Sequence, residues 1–182
     1  MEDRILLRVG RKSYALKRLC FLADFLNLVE IESLKEVSVK IGLSNQALIY
    51  NFKRDDINIS HVYNILNAYG YTIRFEYVDN NLDNQTSIKE DTQTITRKNG
   101  NLESNLKNIT YINSRLFCIH YAITRFGLSR AEIYTKVGIC RQVFMKRLKD
   151  DDCPISMLTD IADHFGWTLK IDIYKKEGEE KA

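Results

Sequence analysis

Residues 41–53 of the chain read IGLSNQALIYNFK, which predicts a tight turn at Gly42 followed by a short helix. Leu48 and Phe52 are four residues apart and share one helix face, which suits burial against a core. The opposite face carries amides and a cation, where a solvated helix usually carries mixed Glu and Lys. A helix that directs amides and cations outward just after a glycine turn is typical of DNA-reading helices.

The same design occurs again at residues 137–149, which read VGICRQVFMKRLK. Gly42 and Gly138 are 96 positions apart, and so are Gly70 and Gly166. Applied without a gap, this offset also pairs identical residues elsewhere: Phe21 with Phe117, Ser33 with Ser129, Glu36 with Glu132, Lys40 with Lys136, Gln46 with Gln142, Lys53 with Lys149, and Ser60 with Ser156. Apolar positions between these identities stay in phase, and we interpret the pattern as an internal duplication.

Length, charge and cysteine content limit the number of domains and the kinds of binding site that this chain can have. The 182 residues suit one or two small domains, and the net charge of +3 provides no strongly basic arm, so attraction to nucleic acid would have to come from local clusters. The cysteines show no C-x-x-C spacing and only three histidines accompany them, which favours reduced thiols over a zinc site. The sequence shows no signal peptide and no membrane span, and we expect a cytoplasmic protein.

The spacing of apolar residues predicts the first elements of each copy. Residues 4–9 fit either a short strand or a loosely held leader. From Ser13 onward the apolar residues follow helical spacing, which predicts a long first helix that ends before Ser33. The segments 33–36 and 129–132 read as capping boxes, each opening a second helix that stops at a glycine turn.

The remaining elements follow in the same order in both copies. Ser44 is expected to cap the third helix, and Cys140 takes its place in the second copy as a weaker cap. A fourth helix should end at Gly70 and at Gly166. Residues 71–78 and 167–174 then alternate apolar and polar side chains, as strands do. One strand cannot stand alone, so we expect these two strands to pair with each other.

These elements define the expected organisation of the chain. We predict a first unit with its strand at residues 13–78, a flexible polar linker at residues 79–108, and a second unit with its strand at residues 109–175. The acidic pairs at 55–56 and 151–152 are interpreted as solvated turns, since two adjacent carboxylates without further ligands seldom hold a metal ion.

Four helices with a glycine turn between the second and third, followed by a G-Y/W-T strand, resemble the λ-repressor/Cro-like helix-turn-helix family, also called Xre-type. The motifs that carry the resemblance are KIGLSNQAL at residues 40–48 and INIS…ILNAYGY within residues 57–71, with KVGI and IS…IADHFGW in the second copy. The resemblance implies a mainly α protein of two tandem four-helix units, each followed by one β-strand. Family members commonly act as dimers that regulate transcription, so it also implies an internal pseudo-dimer in a bacterial or phage-infected cell.

The resemblance also assigns residues that would contact double-stranded DNA. In the first unit they are Ser44, Asn45, Gln46, Ile49, Tyr50 and Lys53, and in the second unit Cys140, Arg141, Gln142, Met145, Lys146 and Lys149. Gln and Asn side chains can hydrogen-bond adenine at two points, and Arg or Lys can do the same with guanine. Tyr50 fits either a phosphate contact or packing along the helix. Two unlike faces would read an imperfect palindrome with half-sites about one turn, roughly 34 Å, apart.

A second class of function stays open, a protein-interaction scaffold that keeps this fold without contacting DNA. The low net charge, the acidic pairs, and Tyr134, where the family usually has a small residue, favour it. A protein partner or further self-association fits either function. The sequence holds no nucleophile–base pair, glycine-rich phosphate loop or metal quartet, so we expect no enzymatic activity and no cofactor. His61, His120 and His164 fall on predicted helices and are interpreted as structural or surface residues.

Overall fold

The computed structural model describes residues 5–9, 12–80 and 114–176. Over these residues the chain is mainly helical, with eight helices and two antiparallel sheets of two strands each. None of the helices in the described residues combines the length and the apolar character that a membrane span requires. The expected linker at 79–108 lies outside the described residues, apart from its first two positions.

From the first helix onward, the order of elements is the same in two parts of the chain. The part up to Asn80, here called the first half, contains β1 (Ile5–Val9), β2 (Lys12–Leu16), α1 (Cys20–Leu28), α2 (Leu34–Lys40), α3 (Asn45–Arg54), α4 (Ile59–Ala68) and β3 (Tyr71–Asp79). The part from Ser114, here called the second half, contains α5 (Phe117–Arg125), α6 (Arg130–Val137), α7 (Arg141–Asp150), α8 (Ile155–Phe165) and β4 (Trp167–Lys175). Each half therefore runs through four helices into one strand.

A β-hairpin precedes the first helix. β1 pairs antiparallel with β2, Ile5 opposite Leu16, so of the two alternatives for this segment the strand is confirmed. The expected long helix from Ser13 is wrong, because residues 12–16 form β2 and α1 begins only at Cys20. An apolar run this short fits both helical and strand spacing, and the pairing with β1 decides between them. Leu7 and Leu16 are fully buried in the core.

Aspartates at the ends of α3 and α7 hold the starts of α1 and α5. Asp55 Oδ1 and Oδ2 accept hydrogen bonds from the backbone N–H groups of residues 17, 18 and 19 at 2.8–3.0 Å. Asp151 accepts from the N–H groups of Arg115 at 3.0 Å and Leu116 at 3.2 Å. Free N–H groups at a helix start favour a carboxylate partner. The interpretation of these acidic residues as solvated turns is therefore wrong.

The difference in residue number between equivalent positions of the two halves changes at the first helix. α1 and α5 begin 97 positions apart, at Cys20 and Phe117, whereas α3 and α7 keep the offset of 96. Glu30 at φ 52° and Gly127 at φ 65° occupy equivalent places after these helices, so the loop that follows is one residue shorter in the second half. The gap-free pairing of Phe21 with Phe117 is therefore wrong, because both the starts of the first helices and the left-handed residues that follow them are 97 positions apart.

The two predicted capping boxes differ. Ser129 Oγ accepts from the N–H of Glu132 at 3.1 Å, and Glu132 Oε2 accepts from the N–H of Ser129 at 2.6 Å, so this box is complete. Ser33 Oγ accepts from the N–H of Glu36 at 3.2 Å, but Glu36 Oε1 accepts from Lys40 Nζ at 2.8 Å. The first box is half formed because a lysine one turn along the helix competes for the glutamate, and this hydrogen bond lowers the pKa of Glu36.

Strands β3 and β4 join the halves. They pair antiparallel from Tyr71 opposite Lys175 to Asp79 opposite Trp167, which confirms the expected pairing. Phe75 lies opposite Ile171, and these two residues are 96 positions apart, so the sheet is centred on equivalent residues. The pairing is therefore symmetric when the halves are exchanged.

A second set of contacts, here called the seam, lies where α4 and α8 begin. Asp152 accepts from the N–H and hydroxyl of Ser60 at 2.9 and 2.8 Å, and Asp56 accepts from the same groups of Ser156 at 3.0 and 2.8 Å. The backbone adds Ile59 N–H to the carbonyl of residue 153 and residue 155 N–H to the carbonyl of residue 57, both at 2.9 Å. Each half thus caps a helix of the other, and these aspartates too are not solvated turns.

The buried apolar side chains of both halves form one cluster. Tyr77 on β3 illustrates this, because its hydroxyl donates to the Leu158 carbonyl on α8 at 3.2 Å and its ring lies 5.4 Å from that of Trp167. Burial raises the pKa of Tyr77 well above its ordinary value and raises the pKa of the Cys118 thiol to about 12. At neutral pH both groups stay uncharged, as a packed interior requires.

Candidate nucleic-acid interface

The turn between α2 and α3 is built on a glycine and a serine cap. Gly42 has φ +68°, which only glycine adopts without strain, and the N–H of Leu43 donates to the Ser38 carbonyl at 3.0 Å. Ser44 Oγ accepts from the N–H of Ala47 at 3.2 Å and opens α3. Leu48 is buried on the inner face of α3, so the opposite face points outward.

The turn between α6 and α7 has the same backbone but different side chains. Gly138 has φ +74°, and the N–H of Ile139 donates to the Tyr134 carbonyl at 2.8 Å. The large side chain of Tyr134 is accommodated against Phe144, with ring centroids 6.1 Å apart. Cys140 is the N-cap of α7, but its side chain accepts no capping hydrogen bond from a helix N–H; its thiol donates instead to Gln142 Oε1 at 4.0 Å. The turn geometry is therefore retained while its serine cap is lost.

The residues predicted to contact DNA in the first half differ in their exposure. The outward side chains on α3 and its cap are Ser44, Gln46, Tyr50 and Lys53. Asn45 is half-buried, and its Oδ1 is buried without a hydrogen-bond partner among the described residues. Ile49 is also half-buried, packed against the core. The exposed side chains thus form one surface along α3, with Asn45 and Ile49 at its edge.

The second set is more exposed. Cys140, Arg141, Gln142, Lys146 and Lys149 are exposed, and only Met145 is half-buried against the core. Gln46 and Gln142 both point away from their cores, as the DNA-reading hypothesis requires. Val143, which lies between the cations of α7, is 48% exposed.

Positive charge is concentrated on these two helices. α3 carries Lys53 and Arg54 and no acidic residue. α7 carries four cations, Arg141, Lys146, Arg147 and Lys149, against the single acidic Asp150. The two helices together are more positive than the whole chain, whose formal charge is +3. The sequence predicts that any attraction to nucleic acid must come from local clusters of positive charge. In the structure, such clusters lie on α3 and α7.

Tyr50 and Arg54 connect the outer face of α3 to a cleft at the seam. Arg54 Nη1 donates to Tyr50 Oη at 3.4 Å, and the guanidinium carbon lies 5.4 Å from the ring centroid. The structure thus shows Tyr50 packed along its helix, one of the two alternatives for this residue. Residues that line the cleft are Asn51, Arg54, Asp56, Ile57, Asn58, His61, Arg147 and Pro154.

None of these cleft residues is among those that the sequence predicted to contact DNA, and the three that matter most for binding an anion are Arg54, His61 and Arg147. Arg54 directly follows the predicted Lys53, and Arg147 occupies the position equivalent to Asn51, so both lie one step around the helix from the predicted face. No local pattern could bring α3 and α7 to one cleft, because the seam that does so is formed by residues far apart in sequence. The cleft also shows that residues of both helices reach the seam, Asn51 and Arg54 from α3 and Arg147 from α7.

No group of three or more His, Cys, Asp or Glu side chains in the described part of the chain is arranged to hold a metal ion. Comparisons with protein-family models, with curated proteins and with solved structures returned no significant match to this chain.

Proposed function

We propose that the chain is a sequence-specific double-stranded DNA-binding protein, acting as a transcriptional regulator. In this proposal its halves are two tandem λ-repressor/Cro-like helix-turn-helix units that form an internal pseudo-dimer. α3 and α7 are the reading helices, each entering the major groove at one half-site of an imperfect palindrome.

The observation that carries the proposal is the position of α3 and α7. Both helices follow a glycine turn, both expose a glutamine at the same position, and both line one cleft at the seam. A joint that brings parts of both helices to one cleft supports the binding of a single duplex with two half-sites. The charge on the two helices supports the same conclusion, because phosphate neutralisation supplies much of the affinity for DNA.

The acidic residues beside α3 and α7 do not oppose this function. Asp55, Asp56, Asp151 and Asp152 direct their carboxylates to N–H and hydroxyl groups within the fold. Their oxygens are therefore directed at helix starts, although the carboxylates keep their negative charge. Asp150 is exposed at the end of α7 and is the acidic side chain that a phosphate backbone would have to avoid.

A protein-interaction scaffold is the second candidate. Exposed apolar side chains favour it, since Val39 on α2 is 72% exposed and Val143 on α7 is 48% exposed. Such side chains suit a protein partner, although apolar contact with thymine methyl groups would also use Val143.

Selection of bound sequences from random duplexes, followed by binding at several salt concentrations, tests the proposal. We expect an enriched palindromic motif and affinity that falls steeply with salt.

Gln46→Ala or Gln142→Ala should weaken binding to that motif more than to random duplex, because the amide reads a base. Lys149→Ala should reduce the salt slope by about one. Asp24→Ala, an exposed change on α1, is the matched control. Absence of salt-dependent binding to any duplex would reject DNA binding in favour of the scaffold.

A further inference from the structure

The cleft at the seam holds more hydrogen-bond donors than the fold needs for its own contacts. It encloses about 550 Å³, including the solvent at its mouth. Arg54 at the end of α3 and Arg147 on α7 line it from opposite halves, and Asn51 and Asn58 line it as well. A cleft that brings two guanidinium groups from different segments together carries a concentrated positive charge.

The carboxylate in the cleft offsets part of this charge, but it is engaged by partners of its own. Asp56 lines the cleft, but its two oxygens accept the N–H and the hydroxyl of Ser156 at 3.0 and 2.8 Å. These bonds direct both oxygens of Asp56 into the seam. The carboxylate therefore does not compete with a ligand for hydrogen bonds from the arginines.

His61 adds an independent observation. It lines the cleft from α4, and its Nδ1 is buried without a hydrogen-bond partner among the described residues. Buried polar atoms are nearly always hydrogen-bonded in folded proteins, so this nitrogen has hydrogen-bonding capacity that the described part of the fold leaves unused. An imidazole nitrogen can donate a proton to an oxyanion.

The arrangement is not a by-product of the symmetry. The positions equivalent to Arg54, Arg147 and His61 are occupied by Asp150, Asn51 and Met157. The three equivalent positions therefore do not form a second cluster of the same donors. The cluster of two arginines and a histidine is found at one of the two symmetry-related places.

We propose that this cleft binds a phosphate group, held by the guanidinium groups of Arg54 and Arg147 and by the imidazole of His61. Guanidinium groups bind phosphate oxygens through paired, charge-assisted hydrogen bonds, and three donors from three helices suit a tetrahedral anion better than a planar carboxylate. The phosphate belongs either to nucleic acid or to a free phosphate compound, since both present the same oxygens.

The two sources are separated by two binding measurements on the full chain. Inorganic phosphate is titrated against chloride at equal ionic strength while the backbone amide signals of Ile57 and Asn58 are followed by NMR. Duplex DNA binding is measured as a function of salt. The variants are Arg54→Ala and Arg147→Ala. Arg125→Ala removes an exposed arginine that does not line the cleft and is the control.

For a free phosphate compound, we expect saturable shifts in the native protein and about tenfold weaker binding in each cleft variant, with the control unchanged. For nucleic acid, we expect no response to inorganic phosphate, but a salt slope lower by about one in each cleft variant and unchanged in the control. Arg147→Lys should fold like the native chain and retain part of the affinity, because it keeps the charge and loses the paired geometry.

The nucleic-acid source rests on the proposed function, whereas the phosphate titration does not. Failure of the native chain to bind any duplex would reject the proposed function and leave the titration to decide on the cleft. No response to inorganic phosphate, together with either no binding of DNA or cleft variants that bind DNA like Arg125→Ala, would overturn the phosphate site.

Discussion

Helices α3 and α7 have the same length, the same preceding turn and the same left-handed residue at their end, yet their surfaces differ. α3 begins at a serine cap and exposes one amide, one aromatic ring and two cations, whereas α7 begins at a cysteine that makes no capping hydrogen bond and exposes one amide and three cations. The seam and the β3–β4 sheet show the opposite behaviour, since their hydrogen bonds match when the halves are exchanged. The fold thus keeps its joint fixed while its outward helices vary.

The joint and the outer faces of α3 and α7 differ because their residues meet different physical requirements. Residues in the joint must satisfy a partner in the other half, so a change on one side leaves a half-buried polar group unpaired. Residues on the outer faces of α3 and α7 meet solvent or a ligand and can change without cost to the fold. The joint is accordingly the place where a substitution should reveal whether the halves are equivalent.

The largest effect is expected from the aspartates of the seam. Asp56→Ala and Asp152→Ala each remove two hydrogen bonds at a helix start, and each should lower the free energy of unfolding by about 1–2 kcal/mol. The two single variants should be equal within error, because the contacts are symmetric. Urea unfolding measures both, with Asp24→Ala on the surface of α1 as the control. A clear inequality between the two would contradict the equivalence of the halves at the seam.

The caps of α3 and α7 provide a smaller and more direct comparison. Ser44→Ala should destabilise the chain by about 1 kcal/mol, because it removes the acceptor for the Ala47 N–H. Cys140→Ser should stabilise it by up to about 1 kcal/mol, because it supplies the acceptor that α7 lacks. Thermal unfolding of both variants makes the measurement. If Cys140→Ser left stability unchanged, the two helix starts would differ in more than their cap residue.

The smallest effect concerns His120, which occupies the place of Ala23 in the first half. Burial is the main cause that lowers the pKa of His120, with the nearby charge of Arg130 second. As the pH falls, His120 therefore takes up its proton at a higher pH in the unfolded chain than in the folded chain. Stability should be complete above the unfolded pKa of about 6.5 and should fall as the pH drops below it.

Substituting His120→Ala makes the second half resemble the first and should flatten this loss between neutral and mildly acid pH. Urea unfolding at several pH values follows the change, with the exposed His164→Ala as the control. An unchanged pH dependence in the variant would show that the proton is taken up elsewhere.

Local signals predicted much of this fold. The positive φ of Gly42 and Gly138, the cap at Ser44 and the alternating strands at 71–78 and 167–174 each follow from a few neighbouring residues. The pattern also placed the candidate amides and cations on the outer faces of the third helices. These features depend on the chain within a turn or two, which is the range over which propensity and periodicity act.

Other features depend on residues that are distant in the sequence. The segment at 12–16 becomes a strand because β1 lies beside it, and Asp56 becomes a cap because Ser156 arrives from the other half. Asp55 was interpreted as a turn residue for the same reason, since its partners at the start of α1 cannot be read from its neighbours. The cleft with Arg54 and Arg147 could not be predicted, because it exists only once the seam has formed.

The symmetry of the joint has a consequence for how such a chain can change over evolutionary time. A surface whose contacts are unchanged by exchanging the partners is self-complementary, so one half could in principle associate with a second copy of itself. In such a homodimer every mutation would appear twice. Covalent linkage of the two copies removes that constraint, and unlike side chains such as Arg54 and Asp150 can then stand at matching positions.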